Sequence, residues 1–216
     1  MTTIDPGAIV GRAFRIYQEH AAPLIAAALI VFLIDAVAAF LFDSGALVIV
    51  ASLIGLIAHT FYQGVVVRLV DDVRDGTLDS SVGGLFSSVV PVLGSLLLVS
   101  IVAGIALTIG FVLLIVPGLF LMTIWAVVAP VVVLEQRGFG SFGRSQELVK
   151  GNGWGVFAVI VIVFLLTIVV GIVAGAIGAA GGDVLRAVVS FVATVAVAPL
   201  AALTVSVLYF QLRDGG

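Results

Sequence analysis

Long apolar stretches alternate with short polar ones along this chain. Residues 22–42 are almost unbroken hydrocarbon, and comparable stretches follow at about 46–67, 91–116, 119–134, 154–179 and 184–210. A helix needs roughly 20 apolar residues to cross a bilayer, so the pattern predicts six transmembrane helices. The separators fall into two kinds. Asp43-Ser44-Gly45, Pro117-Gly118 and Gly181-Gly182-Asp183 are brief and rich in turn-forming residues. The intervals 68–90 and 138–153, like the opening 5–19, are longer and carry charge.

Each longer polar interval contains a helical pattern of its own. In 5–19, Asp5 is placed to cap the first free amides and Pro6 suits the first helical position. Ile9, Val10, Ala13, Phe14, Ile16 and Tyr17 fall on one face, and Arg12, Arg15 and Glu19 on the other. Such a helix suits the membrane surface, with packing against its own protein as the alternative. Val82, Leu85, Phe86, Val89 and Val90 form a second stripe at i, i+3, i+4, i+7 and i+8, predicting a second interfacial helix that ends where Pro91 opens the third span. In 138–153, Phe139, Phe142 and Val149 give a weaker stripe, with Arg144, Glu147 and Lys150 along a charged side. Trp154 sits where an aromatic anchor belongs. The fourth span is short, so Glu135 and Gln136 belong to its end, and Pro130 should kink it. Gly171, Gly175 and Ala179 offer the fifth span a small-residue ridge for close packing.

Polar helix, span, brief turn, span, basic exit: the order recurs three times, in units of about 5–76, 80–138 and 139–215. The chain therefore reads as a single transmembrane domain over 1–216, all-α, with three interfacial amphipathic helices and a possible threefold internal repeat. Two crossings per unit place both termini and all polar helices on one side. That side holds Arg12, Arg15, Arg68, Arg74, Arg137, Arg144, Lys150 and Arg213, leaving only Arg186 on the other. The distribution is independent of the hydropathy that places the spans, and by the positive-inside rule it makes the crowded side cytoplasmic. The expected location is the cell (plasma or inner) membrane, multi-pass.

Composition agrees. The chain is 62% hydrophobic and 10% charged, with a mean hydropathy of +1.38, too little polar surface to cover a water-soluble core. A net charge of −3 without a basic stripe speaks against a nucleic-acid partner. The absence of cysteine removes disulfides, thiolate metal sites and a cysteine nucleophile. Membrane lipids are the expected partners, with a protein partner or a second copy of the chain as further candidates.

Asp35, His59 and Arg186 are the ionisable groups inside or beside the spans, where charge is costly and commonly faces a partner or cavity. Counted along ideal helices, Asp35 lies about 20 Å from the cytoplasmic end of its span and His59 about 10 Å from that end, which argues against a direct pair. Arg186, reaching down from the outer turn, is the better partner for Asp35. An ion pair joining the first and sixth spans and a transport role are both consistent with it. His59 then reads as a neutral histidine bonded to a neighbouring span.

No polar interval is long enough for a catalytic domain, and no HExxH, P-loop or nucleophile elbow occurs. The expectation is a protein that is not an enzyme and needs no cofactor. The stretch 117–154 carries the most particular residues: Pro117, Gly118, Ala129, Pro130, Glu135, Gly138, Arg144, Ser145, Glu147, Leu148, Gly151 and Trp154. Together with the opening GRAFRIYQEHAAPLI, this pattern resembles the membrane domain of bacterial glycerophosphoryl diester phosphodiesterases, which also occurs as stand-alone six-span proteins. The resemblance implies six spans without phosphodiesterase activity, because that chemistry belongs to a separate barrel that nothing here matches. Two functions are consistent with these features: a non-catalytic module organising lipid or partner proteins, or a small transporter or channel using Asp35, His59 and Arg186. Glu135, Arg137 and Arg144 are expected to form a charge cluster locking the third polar helix to the fourth span.

Overall fold

The computed structural model describes residues 4–42, 44–75 and 79–215, apart from the side chain of Asp75. Asp43 and Gly76, which belong to the turn and exit motifs, lie outside the described residues. The elements are α1 (Pro6–Glu19), α2 (Ala21–Leu41), α3 (Leu47–Asp72), α4 (Val82–Leu113), α5 (Ile115–Ile124), α6 (Val128–Pro130), α7 (Gly140–Val149), α8 (Gly153–Ala179) and α9 (Gly182–Asp214). A 3₁₀ turn at Val73–Asp75 extends α3, and a π-helical turn at Val131–Glu135 follows α6. Six segments are long and apolar enough to cross a membrane: α2, α3, α4, Ile115–Glu135, α8 and α9. Large side chains such as Phe164 (60% exposed) and Ile172 (66%) point outward from α8, a surface that suits lipid and not water. The chain is an all-α polytopic membrane protein.

The spans pair as hairpins α2/α3, α4/α5 and α8/α9. Their shared core lies toward one end. Buried residues of α3 are densest from Ala58 to Val70, those of α9 run from Val195 to Leu212, and α4 contributes Leu85, Val89, Val92, Leu96 and Val99. Tyr62, Val66, Leu69, Val89, Val127, Val131, Leu203 and Tyr209 belong to this core. The first third of α9 is largely exposed, so the hairpins join firmly at the end bearing α1 and the C-terminal end of α9.

Helix α1 starts as its sequence suggests, with Asp5 Oδ1 accepting from the amides of Gly7 and Ala8 at 2.9 and 3.2 Å. It packs on α9 and α8, burying Ile9 and Ala13, and the Tyr17 hydroxyl donates to the Ala196 carbonyl at 3.1 Å. Burial raises the Tyr17 phenol above its ordinary pKa. Part of the apolar face of α1 is therefore packed on its own protein, while Phe14 stays exposed.

Three expectations need correcting. The predicted second interfacial helix is not separate: α4 runs unbroken from Val82 through Pro91 to Leu113. Its length of 32 residues gives about 48 Å, more than the roughly 30 Å of hydrocarbon, so its first turns project beyond the span they belong to. Leu85 and Val89 are buried on the same stripe as Val92, Leu96 and Val99, which explains the continuity. Second, Pro117 and Gly118 lie within α5, and the connection is the single extended residue Leu114 (φ −164°, ψ 149°). Glycines permit that sharp reversal: a Cβ on Gly118 would stand 2.5 Å from the Phe111 ring, and one on Gly110 would stand 3.2 Å from the Gly118 Cα. Third, Gly171 and Gly175 have open space where a Cβ would sit, while Gly178 makes the close approach, against the Arg186 backbone. The packed small residues of α8 are thus Ala174 and Gly178, one turn apart.

Candidate functional site

The fourth span is broken in a specific way. Helix α5 stops at Ile124, residues 125–127 turn, α6 holds one turn, and the π-helical turn ends at Glu135. Pro130 has no amide hydrogen to offer the carbonyl four residues earlier, so an α-helix cannot run cleanly through this stretch. A lipid-embedded break must still satisfy its backbone groups. Ser145, fully buried on α7, supplies the bonds: its hydroxyl donates to the Ile124 carbonyl at 2.9 Å and accepts from the Val127 amide at 3.4 Å. Trp125 packs at a tilt against Phe142 of α7 with ring centroids 4.7 Å apart. Helix α7 is thereby seated on the break.

Beyond the π turn, Gln136 (φ 52°) and Gly138 (φ 51°) take left-handed conformations that reverse the chain into α7. Glu135 is thus held at the corner between span and elbow. Arg144 Nε donates to both of its carboxylate oxygens, at 3.3 and 3.2 Å. Arg137 Nε lies 2.9 Å from Oε2, and the Tyr209 hydroxyl of α9 donates to Oε1 at 3.0 Å. The Glu135 side chain is 17% exposed and that of Arg144 28%. Arg144 Nη1 also reaches Glu147 at 3.4 Å. Burial works against the Arg144 charge, but the carboxylates of Glu135 and Glu147 outweigh it and raise its pKa. One half-buried carboxylate therefore ties together the fourth span, α7 and the last span.

Among the predicted elbow residues, Pro130, Glu135, Arg137, Arg144, Ser145 and Glu147 are brought together. Lys150 is exposed at the C-terminal end of α7 and forms no ion pair among the described residues. Trp154 is 86% exposed at the start of α8, with Phe157 edge-on at 6.1 Å. No local sequence pattern marks Tyr209 as a member of this cluster. It lies 74 positions from Glu135, and only its place near the polar end of the last span hinted at such a role.

No protein family, curated protein or solved structure that the chain was compared with matches it.

The intramembrane groups pair differently from the expectation. His59 Nε2 lies 3.7 Å from Asp35 Oδ2, joining α2 to α3. The depth argument failed because α3 continues to Asp72, past residue 67. The extra turns put His59 about 20 Å from the helix end, level with Asp35. The Phe32 ring lies against the His59 ring, centroids 4.7 Å apart, and Gly55 leaves the room that Asp35 occupies. Arg186 makes no ion pair among the described residues and rests instead on Gly178.

Proposed function

We propose that this chain is a non-catalytic integral membrane protein that presents a rigid charged elbow at the cytoplasmic surface and there organises lipid or partner proteins. The observation that carries this reading is the use of the elbow's particular residues. Ser145 closes the backbone break, and Glu135 binds Arg137, Arg144 and Tyr209. Both roles fix α7 in one orientation. What remains turned outward is Phe139, Glu147, Lys150 and Trp154, a mixed aromatic and charged face suited to a headgroup layer or a protein surface. The cytoplasmic placement rests on the eight cationic residues assigned to that side. The resemblance to the glycerophosphodiesterase membrane domain supports the same reading, since its matching Pro130, Glu135, Arg144 and Ser145 are the residues that build the elbow.

Native mass spectrometry of the detergent-extracted protein tests it. Retained phospholipid, a protein partner or a second copy, reduced when Lys150 and Trp154 are replaced together by alanine, is the expected result. An empty monomer unaffected by those changes overturns the reading. A transporter or channel is the second reading, favoured by the Asp35–His59 pair within membrane-spanning helices. Flux into proteoliposomes that disappears in Asp35→Asn establishes that alternative.

A further inference from the structure

A second polar feature occupies the same end of the bundle but is not part of the elbow. A cavity of about 450 Å³ opens between α1, the end of α3 and the end of α9, within the size range of small-ligand sites. Arg12, Arg15 and Glu19 face it from α1, His20 from the α1–α2 junction and Arg74 from the turn after α3. Val70, Val207 and Phe210 supply apolar wall. The charges there are not balanced internally. Asp214 is taken by Arg74 at 2.7 Å and by Arg213 at 2.8 Å, and Arg74 is braced over the Phe210 ring, 4.3 Å from its centroid. Arg12 and Arg15 have no ion-pair partner among the described residues, and Glu19 is the cavity-lining carboxylate of their own helix. His20 Nδ1 is buried with no hydrogen-bond partner among the described residues.

We propose that this cavity binds a phosphate-bearing anion, with a phospholipid headgroup as its source. Guanidinium groups match phosphate oxygens in charge and in forked geometry. The cationic rim above an apolar wall is what a headgroup with its glycerol backbone presents in reverse. The helix ends that form it lie at headgroup depth if α3 and α9 cross the bilayer. The proposal rests on the membrane placement of the proposed function and not on the elbow.

The test is a thermal-shift titration of the full chain in detergent with three probes: phosphatidylglycerol, phosphate-free diacylglycerol and inorganic phosphate. Phosphatidylglycerol should raise Tm and diacylglycerol should not. The Arg12→Gln/Arg15→Gln variant should need at least about tenfold more phosphatidylglycerol for the same shift, for the loss of two charge-assisted contacts. If that variant does not fold, Glu19→Gln replaces it: removing the repelling carboxylate should tighten binding several-fold. An inorganic phosphate response that matches phosphatidylglycerol and is lost in the same variant keeps the anion site and moves its source to a free phosphate. Equal responses of wild type and variants, or a diacylglycerol shift as large as that of phosphatidylglycerol, overturn the proposal. The elbow reading is tested separately, by lipid or partner retention on Lys150 and Trp154.

Discussion

Asp35 and His59 face each other across the α2–α3 hairpin with 3.7 Å between Oδ2 and Nε2, within two membrane-spanning helices. The side chains are 31% and 55% exposed, so the pair is not sealed in the core and much of its attraction depends on what surrounds it. Replacing both by alanine, singly and together, should show a coupling of about 0.5–1 kcal/mol in thermal stability, the lower part of the range for contacting residues. The same cycle between Asp35 and Arg186 should be additive within about 0.3–0.5 kcal/mol. Additivity for Asp35 and His59, with coupling to Arg186, would reverse the assignment of partners.

Gly55 makes a sharper test of the same pair. A Cβ built there would stand 2.5 Å from Asp35 Oδ1, so Gly55→Ala must displace the carboxylate away from its present position. Glycine to alanine within a helix ordinarily gains about 0.5–1 kcal/mol. That gain should appear in an Asp35→Ala background and be cancelled or reversed in the wild type. Identical Tm changes in the two backgrounds would show that Gly55 is not making room for Asp35.

Glu135 carries more of the fold than any other single ionisable side chain at the elbow. Its carboxylate receives bonds from α7, from the turn before it and from α9, so Glu135→Gln leaves Arg144 half-buried without its main counter-charge. A loss of about 1.5–3 kcal/mol is expected, in line with hydrogen bonds to charged groups. Proteolysis within 138–153 should quicken at the same time. Tyr209→Phe removes one bond of the set and should cost about 1 kcal/mol. Unchanged proteolysis in Glu135→Gln would mean that α7 is held by Ser145 and Phe142 alone.

How far these arrangements could be read from the chain depends on whether they were local. The six spans, Asp5 capping α1 and the grouping of Glu135 with Arg137 and Arg144 come from hydropathy and from charges within ten positions of each other. The α4 error was a matter of weighting. Pro91 reads as a boundary, but the stripe from Leu85 to Val99 packs on one face throughout, and continuous burial prevails over one missing amide bond. The Asp35–His59 pair turned on where α3 ends: a depth count that stops at residue 67 leaves out the five helical positions of 68–72. Tyr209 was out of reach for a different reason. Nothing in its neighbourhood distinguishes a tyrosine that anchors at the interface from one that bonds a carboxylate on another span.

Two serines on one face of α7 permit a controlled comparison. Ser141 and Ser145 are both fully buried one turn apart, yet Ser145 bridges the Ile124 carbonyl and the Val127 amide while the Ser141 hydroxyl has no partner among the described residues. Ser145→Ala should strand two backbone groups in a dry core, at a cost of about 1–3 kcal/mol. Ser141→Ala removes an unpaired hydroxyl and improves helix propensity, so it should be neutral or slightly stabilising. Because both changes delete one oxygen at the same depth, the difference in Tm between them isolates the bridge from burial and volume. A matching loss in the two variants would mean that the broken span is held by packing of Trp125 on Phe142, and that the serine bonds are incidental to it.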